Sequence, residues 1–190
     1  MRLIGPDQYC HMPWRNGGGS TTEIAILPAG AGLDNFDWRV SMATVAEAGP
    51  FSIFPGIDRT LSVLEGDGIR LDFAGCSVTL QRSSPPFSFQ ADTSIYGAPI
   101  NGPITDLNVM TRRGRYRHSV THLTSSDAMQ VESRGTSTVI FSARDIQIAA
   151  FGHFTCLSGG ATALIDGAGS RLELIGDPAI DCYLIELLTL

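Results

Sequence analysis

Short runs in which apolar and polar residues alternate recur along the whole chain, and no window of ten or more residues keeps a 3.6-residue apolar period. Alternation with a period of two is typical of half-buried β-strands. The pattern predicts strands at 20–27, 36–45, 51–54, 60–65, 69–73, 77–81, 87–90, 94–96, 104–111, 115–123, 138–143, 161–165, 170–175 and 181–188. Segment 125–134 is predicted to hold a short helix or a disordered excursion.

An internal repeat suggests how these strands are organised. Residues 64–73 align without gaps with residues 165–174, and both read apolar, acidic, Gly, any, Gly, any, Arg, Leu, acidic, apolar. Each Gly-x-Gly predicts a tight hairpin, because glycine adopts the positive dihedrals that such turns need. We predict an all-β chain with few or no helices, built of two tandem β-barrels, at 1–111 and 112–190, that hide their strand edges. A chance match of the two segments is the alternative.

Composition and charge narrow the possible functions. The chain has 190 residues and a net charge of −6, and its 13 basic residues are all arginine. Without lysine the chain cannot form Schiff bases or hold pyridoxal phosphate covalently. Without a strongly basic face, a nucleic-acid partner is not expected.

The cysteines and the N-terminus indicate the compartment. The 4 cysteines are widely scattered without a Cys-x-x-Cys pair, so no zinc site is predicted. The first residues lack the apolar run of a secretory signal, and no apolar stretch is long enough to span a bilayer. We expect a cytoplasmic protein without a membrane partner or a cofactor.

The N-terminal copy of the repeat resembles the first motif of the cupin barrels, G-x5-H-x-H-x3,4-E-x6-G, in which two His and one Glu bind a metal. Aligning the last glycine with Gly66 places the Glu position on Arg59 and the His positions on Phe54 and Ser52. All three ligands are replaced, so the resemblance implies a cupin without its metal.

The replacement of a carboxylate by Arg59 reverses the charge that the barrel interior would carry. A guanidinium in an apolar interior is costly unless an anion lies beside it, so a carboxylate ligand is its natural complement. The alternative is a buried ion pair between Arg59 and either Asp58 or Asp106. The second copy carries Gly160 at the Arg59 position, which places the predicted site in the first barrel.

The run Met12–Thr21 contains three consecutive glycines directly after Trp14, Arg15 and Asn16. Glycine loses more backbone freedom on folding than any other residue, so a run of three indicates that a bare backbone is required here. An aromatic ring, a guanidinium and a carboxamide can together hold a planar anion. The alternative is a tight turn into strand 20–27 with Trp14 filling the core.

Five segments spread over nearly the whole chain carry a more specific resemblance: MPWRNGGGST at 12–21, FDWRVS at 36–41, FSIFPG at 51–56, GPITDLN at 102–108 and DCYLIEL at 181–187. Together they resemble the HutD/Ves family. The resemblance implies a bicupin fold and no demonstrated enzyme activity. It also implies binding of N-formylglutamate or urocanate by members that temper histidine utilisation (hut) gene expression. Both compounds are small carboxylates.

Together these observations predict a non-enzymatic receptor for a small anionic metabolite. Arg59 would hold a carboxylate, Trp14 or Phe54 would pack on the ligand body, and carboxamides would orient it. Trp38 and Arg39 alternate along one strand, so one of them faces the interior. Asp106 would contact the ligand or brace an arginine. The predicted site residues are Arg59, Trp14, Asn16, Asn108, Phe54, Arg39 and Asp106.

Two other functions remain open at this point. A metal-independent cupin isomerase or epimerase acting on an anion would need a general base, for which His11, Glu23 and Asp106 are the candidates. An interaction module would act through exposed barrel faces and strand edges. A homodimer is possible in either case.

Overall fold

The computed structural model describes residues 1–14, 17–150, 152–176 and 178–190. Within these ranges the chain is all-β, with a single short 3-10 helix at Pro6–Gln8. The strands are β1 (Arg2–Ile4), β2 (Cys10–Pro13), β3 (Gly19–Leu27), β4 (Trp38–Val45), β5 (Gly49–Pro50), β6 (Ile57–Glu65), β7 (Ile69–Phe73), β8 (Cys76–Leu80), β9 (Phe87–Gln90), β10 (Tyr96–Pro99), β11 (Ile104–Arg112), β12 (Tyr116–Ser125), β13 (Met129–Glu132), β14 (Ser137–Ser142), β15 (Ile146–Ala150), β16 (His153–Leu157), β17 (Thr162–Asp166), β18 (Arg171–Gly176) and β19 (Ile180–Thr189).

The chain divides into two compact units. Tyr9–Arg115 forms a six-stranded sheet of order β2-β3-β4-β11-β6-β9 and a four-stranded sheet of order β5-β10-β7-β8. The other unit, Met1–Gln8 with Tyr116–Leu190, pairs a five-stranded sheet, β1-β17-β14-β19-β12, with a four-stranded one, β13-β18-β15-β16. Among the described residues, each unit is thus a pair of open sheets rather than the closed barrel that the sequence predicted.

The pattern of the sequence does not reveal which unit strand β1 belongs to. The predicted domains 1–111 and 112–190 assign it to the N-terminal domain, whereas it pairs antiparallel with β17 in the unit of Tyr116–Leu190. Three residues carry too little alternation to indicate a partner. The predicted bounds of the two domains, 1–111 and 112–190, stay a prediction.

Two of the predicted elements are wrong. Segment 51–54 is not a strand: its backbone leaves the ladder, although Phe51 N–H donates to Ile95 O at 2.9 Å and Phe54 N–H donates to Ala91 O at 2.9 Å. Segment 125–134 contains no helix, and its second half forms β13, which pairs with β18.

The Gly-x-Gly turns confirm the predicted dihedrals but not the predicted hairpins. Gly66 and Gly68 have φ of 90° and 125°, and Gly167 and Gly169 have φ of 105° and 75°. However, β6 and β7 lie in different sheets, as do β17 and β18. In both copies the turn therefore leads the chain from one sheet of its unit to the other. In the strand that follows, the arginine of the Arg-Leu pair is exposed and the leucine is buried.

The core of the Tyr9–Arg115 unit lies between its two sheets. Leu61 and Val63 of β6 pack against Ile69 and Leu71 of β7 and against Leu80 of β8. The side of the six-stranded sheet that carries Leu61 and Val63 is called the interior face below. Because side chains two residues apart share a face, Arg59 also belongs to the interior face.

The described residues include no helix that is long and apolar enough to cross a membrane. The cytoplasmic location stays a prediction.

Candidate functional site

Strand register brings polar side chains together on the interior face. β11 runs between β4 and β6, so residues 105–111 of this strand each have a partner on both sides. Asn108 lies opposite Leu61, and Met110 lies opposite both Arg59 and Arg39. Cross-strand partners project to the same side of a sheet. Four of the predicted site residues therefore share the interior face: Arg39, Arg59, Asp106 and Asn108.

Arg59 is held by an amide and two aromatic rings. Its Nε and Nη2 donate to Asn108 Oδ1 at 2.8 and 2.5 Å. Its guanidinium carbon lies 4.8 Å from the centroid of the Phe51 ring and 5.6 Å from that of Phe89. Each contact is a cation–π interaction, which is strongest where water is excluded. The side chain is thereby aimed into the unit, as the sequence predicted.

Asn108 also connects Arg59 to Asp106. Its Nδ2 donates to Asp106 Oδ1 at 2.5 Å. Asp106 is fully buried, and its Oδ2 has no hydrogen-bond partner among the described residues. Burial raises the pKa of Asp106 from 3.8 to about 6, although the Arg59 charge, the Asn108 hydrogen bond and the Ala43 backbone amide all act to lower it.

Arg39 has a carboxylate of its own. Its Nε donates to Glu23 Oε2 at 2.7 Å, and the two side chains are 6% and 21% exposed. The carboxylate that contacts Arg39 within this structure is therefore Glu23. Burial lowers the pKa of Arg59. The negative charge of Asp106 opposes this lowering and the positive charge of Arg39 increases it, so the two guanidinium groups interact within the same interior.

Two of the three consecutive glycines have a physical cause. A Cβ at Gly19 would lie 2.2 Å from Thr44 O and 2.9 Å from the Trp14 ring, so the ring packs directly over bare backbone. Gly17 has φ of 75°, which side chains rarely adopt. Trp14 Nε1 donates to Thr21 Oγ1 at 2.8 Å, and the ring packs beside the core of its unit. Asn16 lies outside the described residues.

Phe54 does not accompany Arg59 as the cupin alignment suggested. It packs edge-on against Phe36, at 6.5 Å between centroids, in a hydrophobic cluster with Ile57, Ala91 and Met110. Its position beside Arg59 is taken by Phe51, because 51–54 is not a regular strand and its residues do not alternate. Phe89 occupies the other side because it lies opposite Arg59 in the β6–β9 ladder.

Phe51 and Phe89 were not among the predicted site residues, and Glu23 was predicted only as a possible base. The spacing Phe87-Ser88-Phe89 does indicate that both rings share one face of a strand, but it does not reveal the partner strand. The alternative ion pair of Arg59 with Asp58 is not formed, because Asp58 Oδ1 accepts from Arg113 Nη1 at 3.0 Å. Within the described ranges no three His, Cys, Asp or Glu residues are grouped as a metal site.

A Gly97→Ala variant should disturb the site through Phe51. The added Cβ would lie 2.3 Å from Phe51 Cε1, so the ring must leave its present position against Arg59. We expect the free energy of unfolding, measured in urea, to fall by about 1–2 kcal/mol. Gly49 lies directly opposite Gly97, and a Cβ there would contact nothing within 4 Å. Gly49→Ala should stay within about 0.5 kcal/mol of wild type, and equal losses in both variants would contradict this account of Phe51.

The HutD family model matches residues 6–181. A 21.2 kDa protein in the hutC 3′ region of Pseudomonas putida is 38% identical over 117 residues, which cover 62% of this chain and 61% of the relative. Protein Ves of Citrobacter koseri is 37% identical over 108 residues, 56% of each chain. The chain thus spans less than two thirds of the length of these relatives.

Solved structures match over nearly the full length. A conserved protein of Pseudomonas aeruginosa PAO1 has a TM-score of 0.92 at 31% identity and covers 98% of each chain. HutD from Pseudomonas fluorescens SBW25, in a structure titled as a formate condition, has a TM-score of 0.83 at 32% identity, covering 100% of this chain and 98% of its own. A cupin 2 barrel domain protein from Leptotrichia buccalis, 9% identical with a TM-score of 0.58 and 87% coverage of each chain, indicates the cupin fold alone.

Proposed function

The chain belongs to the HutD family, and from this premise we propose that it binds a small carboxylate metabolite through Arg59 without a metal. The observation that carries the proposal is the pairing of the Arg59 guanidinium with a neutral amide oxygen instead of a carboxylate. A buried guanidinium needs an anion close by, and the nearest acid, Asp106, is reached only through Asn108.

The guanidinium has donors left for a ligand. Asn108 accepts from Nε and Nη2, and no described residue accepts a hydrogen bond from Nη1. Arg59 is mostly but not fully buried, so a small molecule can approach it. A carboxylate accepts two parallel hydrogen bonds from one guanidinium, which favours a carboxylate over a simple halide. Arg39 is a weaker candidate because Glu23 already neutralises it.

The surroundings of Arg59 favour an organic acid with an apolar body. Phe51 and Phe89 lie against the guanidinium and belong to the same hydrophobic cluster as Trp14. Small-molecule sites are commonly built in this way, from aromatic walls and a few polar groups. We propose N-formylglutamate-like or urocanate-like ligands and a role in tempering hut gene expression, as the family resemblance implies. The family match and the relative from the hutC 3′ region support a link to hut genes.

Titration calorimetry with formate, glutarate, N-formylglutamate and urocanate tests the proposal. We expect binding of at least one of them, and a loss of about 10- to 100-fold in affinity in Arg59→Gln, because a charged hydrogen-bonding partner is removed. The matched control is Arg70→Gln, since Arg70 is an exposed arginine of the same unit paired with Asp72. Heat that is absent with every acid, or affinities that are equal in wild type and Arg59→Gln, would refute the proposal.

A second candidate function is proton transfer to or from a bound anion by a metal-independent enzyme. Of the possible bases of such an enzyme, His11 is exposed, and its ring contacts Thr22 of β3. Thr22 projects from the opposite face of β3 to Thr21. Asp106 favours the candidate because its pKa of about 6 suits a general base near neutral pH. Exchange of ligand C–H protons for deuterium in heavy water, followed by NMR, should occur with wild type and not with Asp106→Asn if this function is correct.

A further inference from the structure

Asp106 is a buried carboxylate on the interior face whose polar contacts are incomplete within the described part of the chain. Its Oδ1 is bonded to Asn108, whereas the buried Oδ2 has no partner. A buried carboxylate oxygen without a partner is destabilising, and such atoms in native proteins need an explanation. Protonation removes the charge that makes this arrangement costly.

The charged neighbours of Asp106 are few and can be assigned strand by strand. β6 contributes Arg59, β4 contributes Arg39, and β3 contributes Glu23, which is already paired with Arg39. β9 contributes only aromatic side chains to this core, and the second sheet of the unit contributes apolar residues such as Ile69, Leu71 and Leu80. Arg59 is therefore the charge that chiefly supports the ionised form of Asp106.

A ligand at Arg59 removes that support. A carboxylate bound to the guanidinium neutralises it, and Asp106 then faces a second negative charge across Asn108. A neighbouring anion favours the protonated form of a carboxyl group, typically by about 1–3 pKa units at close range.

We infer that Asp106 takes up a proton when a carboxylate binds at Arg59, so that the site binds the anion and the proton together. This inference rests on the proposed function. Affinity for the anion must then rise as pH falls, by linkage. The ligand itself stays ionised near neutral pH, since ordinary carboxyl groups titrate near about pH 4. The pH dependence therefore reports on Asp106, which starts from a pKa of about 6.

Calorimetry with sodium formate and sodium glutarate, in two buffers of different ionisation enthalpy that are neither carboxylates nor phosphates, measures the proton directly. At pH 7 we expect uptake of about half a proton per bound ligand, and affinity about five- to tenfold higher at pH 6 than at pH 8. Asp106→Asn should bind without proton uptake and with the same affinity at both pH values.

Asp58→Asn is the matched control, because it removes a carboxylate from the neighbouring strand β6 that is paired with Arg113 outside the interior face. It should retain the pH dependence of wild type. If Asp106→Asn does not fold, 13C NMR titration of the Asp106 carboxyl in wild type, with and without glutarate, gives the same answer through the shift of its midpoint.

The outcomes separate the two proposals. Binding that requires Arg59 but takes up no proton, or that keeps its pH dependence in Asp106→Asn, overturns this inference and leaves the proposed function intact. Failure of every carboxylate in the calorimetric panel to bind overturns both.

Discussion

The stability advantage of an Asp106→Asn variant over wild type is expected to grow by about 2–2.5 kcal/mol between pH 4 and pH 8. The rise in the pKa of Asp106 from 3.8 to about 6 means that the folded protein holds this proton more tightly than the unfolded chain. The stability contributed by the protonated group is fully present below about pH 4 and is lost as pH rises through about 6. Asparagine keeps an acceptor for Asn108 and carries no charge to ionise.

Urea unfolding of both proteins at pH 4 and pH 8 measures this difference. Asp72→Asn is the control, since Asp72 is a partly exposed carboxylate beside Arg70 in the same unit. Its difference from wild type should change by less than about 1 kcal/mol between the two pH values. An Asp106→Asn variant whose advantage does not grow with pH would show that ionised Asp106 is well accommodated.

Glu23→Gln is expected to lower the free energy of unfolding by about 2–3 kcal/mol. The Arg39 side chain is 6% exposed, and Glu23 is the carboxylate that contacts it. Glutamine can still accept the hydrogen bond but leaves the buried guanidinium without a counter-charge. The loss should appear as a lower urea midpoint at pH 7 with an unchanged dependence on denaturant.

The exposed pair of Arg70 and Asp72 provides the comparison for this prediction. Its side chains are 56% and 35% exposed, so solvent screens the interaction. Asp72→Asn should therefore cost less than about 1 kcal/mol. Similar losses in the two variants would mean that burial does not strengthen the Arg39–Glu23 pair.

Alternation along the chain predicts several strands to within one residue. β7 and β9 have the bounds that the pattern predicted, and β11 differs by one residue. The strands that escaped prediction, such as β2, β13 and β16, are short and carry mostly exposed residues. Their pairing with a longer neighbour stabilises them, and a short stretch of sequence does not encode that neighbour.

The candidate site was predictable to the extent that it depends on positions along a single strand. Arg59 was located through the spacing of a cupin motif, and Asp106 and Asn108 through one family segment. Phe51 and Phe89 were not, because the first lies in an irregular segment and the second reaches Arg59 through the β6–β9 ladder. The hairpin prediction failed for the same reason, since the dihedral angles of Gly66 and Gly68 do not specify which strand pairs with β7.

The most direct test of the central claim is a crystal structure of the protein soaked in sodium formate, the smallest carboxylate. The account predicts formate on the interior face, with its oxygens about 2.7–2.9 Å from the Arg59 guanidinium nitrogens, and no metal ion beside it. A metal ion at that position, or an Arg59 side chain directed into solvent with no formate beside it, would contradict the account.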